Sequence, residues 1–173
     1  MVVMKNELKK FLLKTIYKRK LKNLPQKKYK RTKIIAPKIL ILIDKRLDVM
    51  INDLNFIKDI FSISDENINF LWFDSNFVFD YPNHKRIDID DINFSGKINN
   101  LFTKFKYDIL FNFYDCDDIV LKYLSINIKN KFSVGFLKNE VKLNDLIFEF
   151  SPKNLKCLKI EMKKYYNVIN NHI

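Results

Sequence analysis

Five short stretches of this chain are almost wholly apolar: KILILI (38–43), INFLWF (68–73), DILFNFY (108–114), FSVGF (132–136) and LIFEF (146–150). A strand with one wet face alternates apolar and polar residues, whereas runs without alternation suit strands covered on both faces, as in parallel sheets layered between helices. The intervening segments switch to a helical period. Leu47, Met50, Leu54, Ile57 and Phe61 recur every three or four residues, as do Val120, Tyr123, Leu124 and Ile128, and again Leu155, Leu158, Met162, Tyr165 and Ile169. A further helix is predicted near 97–106, and Ser151-Pro152 supplies an N-cap and first-turn proline for the last one. Right-handed crossovers then give an α/β, Rossmann-like architecture: a mostly parallel five-stranded sheet, ordered 2-1-3-4-5, with helices on both faces. Residues 137–145 are too few for a helical crossover, so the last strand is expected to form an antiparallel edge hairpin. The irregular stretch 77–95 offers one small extra strand around Ile87 and Ile89.

The charge is distributed unevenly. Residues 1–33 hold thirteen Lys or Arg against one acid, Glu7, while the remainder carries nineteen of each sign, so the net +12 lies in the first fifth of the chain. A compositional bias towards Lys, Asn, Ile and Phe acting uniformly would not concentrate charge in this way. Residues 5–22 read as a basic amphipathic helix with Leu8, Leu12, Ile16 and Leu21 as its apolar stripe, ended by Leu24-Pro25, and QKKYKRTK (26–33) reads as a polar connector. The expected organisation is a basic helix and connector at 1–33 followed by a single α/β domain at 34–173. No apolar run approaches the roughly 20 residues of a spanning helix, and the N-terminus lacks the apolar core of a secretory signal. A cytoplasmic protein with two free thiols, Cys116 and Cys157, is expected.

Candidate chemistry is sparse. Three strands end in aspartate, Asp44, Asp74 and Asp115, and on the carboxyl edge of a parallel sheet these could hold a metal ion or small molecule. The competing role is helix capping, which suits Asp44 before KRLDVM and Asp115 or Asp117 before DIVLKYL. Dinucleotide and phosphate loops need glycines in the first strand-to-helix turn; here that turn is IDKRLD, and Gly96 and Gly135 are the only glycines. No cofactor is implied. His84 is expected in a surface loop, and Cys116, flanked by carboxylates, makes a poor nucleophile. The basic segment is the main functional signal: Lys9, Lys10, Lys14, Lys18, Arg19, Lys20, Lys27, Lys28, Lys30 and Arg31, interleaved with Phe11, Tyr17 and Tyr29, are suited to neutralising phosphates of RNA or the ribosome. The same segment suits an anionic membrane surface, and a third reading has its apolar side packed on the domain with the lysines solvated. A non-enzymatic protein is expected.

NFSGKI (93–98), DILFNFYD (108–115), KFSVGF (131–136) and LNDLIFEF (143–150), with the basic helix, resemble an uncharacterised family of small α/β proteins from Bacteroidota, a domain of unknown function. The resemblance implies a bacterial cytoplasmic α/β protein and no particular activity. DILFNFYD followed by KFSVGF is also similar, at the level of fold, to the N-terminal half of heptosyltransferases, whose sugar nucleotide is held mainly by a second domain that this chain has no room for.

Overall fold

The computed structural model describes residues 2–25, 36–74 and 81–170. Helix α1 spans Val2–Lys22, and strand β1 Ile39–Asp44. Helix α2 (Phe56–Phe61) precedes β2 (Ile68–Phe73), and β3 (His84–Ile87) and β4 (Lys106–Phe113) follow. Helix α3 (Ile119–Asn127), β5 (Lys129–Phe136), β6 (Leu146–Phe148) and α4 (Leu155–Asn170) complete the order. Among the described residues the sheet has six strands in the order β3-β2-β1-β4-β5-β6, and every neighbouring pair is parallel. The five apolar runs therefore take the relative order expected of them, with β3 added outside β2.

Strand alternation divides the core in two. Ile39, Ile41, Ile43, Trp72 and Phe111 face α2 and α4, meeting Phe61, Leu158 and Met162. Leu40, Leu42, Leu71 and Leu110 face the other way, towards α1 and α3, meeting Leu13, Tyr17, Leu121 and Leu124. Helices thus cover both faces at the centre of the sheet, and β1 contains no alternation because neither of its sides meets water.

Several expectations are corrected. The last strand is parallel, not antiparallel. β6 pairs over only three positions, Leu146 to Phe148 against Val134 to Phe136, so the returning chain covers a short distance and a 3-10 turn at 141–143 suffices in place of a helix. Side-chain amides hold that return. Asn139 Oδ1 accepts from Phe136 N (2.7 Å) while its Nδ2 donates to the Tyr114 carbonyl (2.8 Å), and Asn144 joins Asn112 (2.7 Å) to the Glu140 carbonyl (2.9 Å). The Asp145 carboxylate accepts from Ser133 N and Oγ, both at 2.7 Å. Gly135 makes room for this: a Cβ there would stand 2.5 Å from Asn144 Cγ and 2.6 Å from Asn139 Oδ1.

The segment after β1 is not one continuous helix but two 3-10 turns, 45–47 and 51–54, followed by the six-residue α2, because Asp48 adopts a left-handed conformation (φ 55°) that interrupts the helical path. The helix expected at 97–106 is reduced to a 3-10 turn at 102–104. α4 begins after Asn154, whose Oδ1 accepts from Cys157 N at 3.2 Å, rather than at Ser151-Pro152, which form a preceding turn. His84 is not in a surface loop. It opens β3, lies buried against the Phe70 ring (centroids 4.4 Å apart), and its Nδ1 accepts from Trp72 Nε1 at 3.1 Å. Burial pushes its pKa down to about 4, so the imidazole is neutral at neutral pH.

Candidate functional site

In a doubly wound sheet the ligand crevice opens where strand order reverses, here between the carboxyl ends of β1 and β4. Asp44 ends β1, and its buried carboxylate accepts from Arg46 N (3.0 Å) and Arg46 Nε (2.8 Å), capping the 3-10 turn that follows. Arg46 reaches on across the switch point. Its Nη2 donates to Asp118 Oδ2 (3.0 Å) and lies 3.5 Å from Cys116 Sγ, while that thiol donates to Asp44 Oδ2 (3.4 Å). The guanidinium pairs with one carboxylate from each side of the crevice, which raises its pKa further above its ordinary value. Burial and the Asp44 carboxylate push the Cys116 thiol up to about 11, so it stays protonated and weakly nucleophilic at neutral pH.

The capping role falls to Asp44 and Asp118, not to Asp115 or Asp117: Asp118 Oδ1 accepts from Val120 N (2.9 Å) at the start of α3. Asp117 pairs with Lys122, and Asp115 Oδ2 lies 3.8 Å from Lys138 Nζ. Asp74 is exposed in a left-handed turn (φ 55°) after β2. Among the described residues no group of three or more His, Cys, Asp or Glu side chains is arranged to hold a metal ion. Arg46 is the residue that sequence reasoning missed; its signal was a base two positions after a strand-end aspartate.

Helix α1 lies on the other side of the sheet from α2 and α4 and packs on α3. Leu13 (1% exposed) and Tyr17 form its buried stripe, with Ile16 and Leu21 partly covered, whereas Leu8 (55%) and Phe11 (67%) face outwards. The apolar stripe is therefore rotated from the one expected. α1 carries apolar residues on two faces, so spacing alone does not select between them. NFSGKI forms part of the seat. Gly96 adopts φ +80°, its carbonyl accepts from Tyr123 OH (2.7 Å), and a Cβ at that position would come within 3.1 Å of Ile16 Cδ1.

The cations sort by face. Lys9 is buried, with Nζ donating to the Ile89 carbonyl (2.9 Å) and lying 3.4 Å from Asp90 Oδ1. Lys20 donates to Asn127, and Lys10 pairs with Glu7 on the helix surface (3.0 Å). Lys14, Lys18, Arg19 and Lys22 are exposed and make no ion pair among the described residues. Lys27, Lys28, Lys30 and Arg31, with the connector that holds them, lie outside the described residues.

Fold and surface together define a Rossmann-like α/β protein whose switch point is bridged by its own arginine and whose net positive charge is concentrated in its N-terminal segment. The chain belongs to a family of unknown function (DUF6913), whose model matches residues 9–169 and thus includes most of α1. No curated protein and no solved structure matches it. The blocks that carried the resemblance do structural work here: Asn112, Ser133, Gly135, Asn144 and Asp145 hold the β5–β6 return, and Gly96 seats α1 and α3. No helix among the described residues is long and apolar enough to cross a membrane.

Proposed function

We propose that this is a non-enzymatic, cytoplasmic RNA- or ribosome-associated protein that attaches through the outer face of α1. The observation that carries the reading is the run Lys14, Lys18, Arg19 and Lys22, exposed and at salt-bridge distance from no carboxylate among the described residues, with Lys14 feeling the charge of Asp117, beside the exposed ring of Phe11. Unpaired cations release condensed counterions from phosphate on contact, and an exposed aromatic ring gives an unpaired base a stacking surface. Lys27, Lys28, Lys30 and Arg31 follow directly in sequence and extend the charge.

The test compares the full chain with a variant in which Lys14, Lys18, Arg19 and Lys22 are changed to Gln, measuring RNA binding and ribosome co-sedimentation over a salt series. Each phosphate contact adds about 0.7 to the slope of log K against log salt for single strands, so losing four contacts is expected to flatten the slope by about 3. Equal affinity and equal slope in the two proteins would refute the proposal. A second reading has one specific observation behind it: Met4, Leu8 and Phe11 form an exposed apolar stripe on the same outer face, as a helix lying in an anionic lipid surface requires. Retention on anionic vesicles without binding to RNA would select that reading.

A further inference from the structure

The crevice at the switch point is bridged, but a cavity opens on the opposite face from α1. It occupies about 830 Å³ beside the amino-terminal halves of β2 and β3. It exists because α2 is only six residues long and, with the 3-10 turn before it, leaves the β2–β3 edge of that face without a covering helix. Its volume falls within the roughly 300–1,000 Å³ of small-molecule sites.

The lining has a consistent chemistry. Asn52 and Asn55 line the cavity as a pair, Asn55 Nδ2 lying 3.5 Å from Asn52 Oδ1, whereas Asn83 commits its Nδ2 to the Asp65 and Ile68 carbonyls (3.3 and 3.2 Å), and Tyr81 stands exposed at the rim beside the buried His84 (centroids 5.6 Å apart). Phe70 and His84 line the cavity with their rings stacked (centroids 4.4 Å apart), and Trp72, buried outside the lining, donates its Nε1 hydrogen to His84 Nδ1 at 3.1 Å. Lys58 is committed to Asp65 at 2.6 Å, while Glu66 makes no ion pair among the described residues, so the rim carries a surplus negative charge. Neutral carboxamides both donate and accept, and carboxylates accept from hydroxyls but repel phosphate. An aromatic ring beside them offers an apolar face to a flat or puckered ring.

We propose that this cavity binds an uncharged, hydroxyl-rich ring: a saccharide, or the ribose of an unphosphorylated nucleoside. Asn52, Asn55 and Glu66 hydrogen-bond its hydroxyls, and Tyr81 packs against its ring. The site lies across the sheet from α1 and stands apart from the RNA proposal, so either can fail without the other.

The test uses the 15N-labelled full-length chain, titrated by NMR with neutral monosaccharides, the corresponding nucleosides, and the 5′-phosphates of both. At least one uncharged ring is expected to shift the Trp72 indole and the Asn52 or Asn55 carboxamide signals saturably at or below about 10 mM. Its phosphate is expected to bind about tenfold more weakly because of Glu66. Preference within the neutral set distinguishes sugar from nucleoside. Tyr81→Ala, altering an exposed residue, should leave Tm unchanged and confine changes in the free spectrum to the surroundings of His84, yet weaken binding about fivefold or more. Absence of saturable shifts from every neutral ring, tighter binding of the phosphates, or wild-type affinity in the Tyr81 variant would each overturn the assignment.

Discussion

The two faces of α1 have the same kinds of residue and opposite environments. Inwards, Leu13 and Tyr17 are buried against α3, and even a lysine, Lys9, is enclosed, its ammonium satisfied by the Ile89 carbonyl and Asp90. Outwards, Leu8 and Phe11 remain in water, and Lys14, Lys18, Arg19 and Lys22 stay unpaired among the described residues. The difference teaches that apolar or basic character alone does not decide a role on this helix. Contact with α3 assigns the inner set to folding and leaves the outer set for a partner.

Substituting the inner face produces the largest expected effect. Leu13→Ala removes a side chain that is 1% exposed between α1 and α3, and a buried Leu→Ala change costs about 2–5 kcal/mol. Urea unfolding should show the whole domain destabilised by about that amount, with α1 and the sheet unfolding together. A loss under about 0.5 kcal/mol would mean that α1 is an arm resting on the domain rather than part of its core, and the contrast between the faces would disappear.

Gly96→Ala examines the same seat from the other side and should be smaller. The substitution forces a Cβ into a left-handed backbone position (φ +80°) and against Tyr123 and Ile16. Such strain costs about 1–3 kcal/mol. Thermal unfolding should register the loss, and Gly96→Asn, which tolerates positive φ better, should lose as much only if crowding rather than backbone conformation sets the cost.

Much of the fold was legible because its determinants are local and repeated. Unbroken apolar runs such as ILILI and FLWF, short and alternating with segments of helical period, suit strands covered twice, and with right-handed crossovers they gave the class, the five main strands and their order. The direction of β6 was not legible, since it depends on Asn112, Asn139, Asn144 and Asp145 meeting across up to 32 residues of chain around the missing Cβ of Gly135. Asn and Asp in a loop look like ordinary turn formers until their partners are known. The strand-end positions of Asp44, Asp74 and Asp115 were legible, but their separate surroundings were not, and the guanidinium bridging Asp44 and Asp118 depends on where a single long side chain points, which spacing does not encode. On α1 the spacing favoured Leu8, Leu12, Ile16 and Leu21 as the apolar stripe, and the position of α3 buries Leu13 and Tyr17 instead and leaves Leu8 exposed.

The smallest effect on stability, and the one that most sharpens the comparison, is expected at Phe11. Its ring is 67% exposed, so Phe11→Ala removes little buried area and should change unfolding free energy by less than about 0.5 kcal/mol. Its effect on binding should depend on the form of the nucleic acid. An exposed ring stacks only on bases free of a duplex, at about 1–3 kcal/mol per base, whereas the neighbouring cations contact phosphates of either form. Phe11→Ala should therefore weaken single-stranded RNA about fivefold or more while duplex RNA binds as before, and the quadruple Gln variant should weaken both. An equal loss for both forms would show that Phe11 only supports the cations. If vesicle binding falls while single-stranded RNA is unaffected, the outer apolar stripe belongs to a lipid surface, because inserting Met4, Leu8 and Phe11 among acyl chains depends on apolar area and not on base stacking.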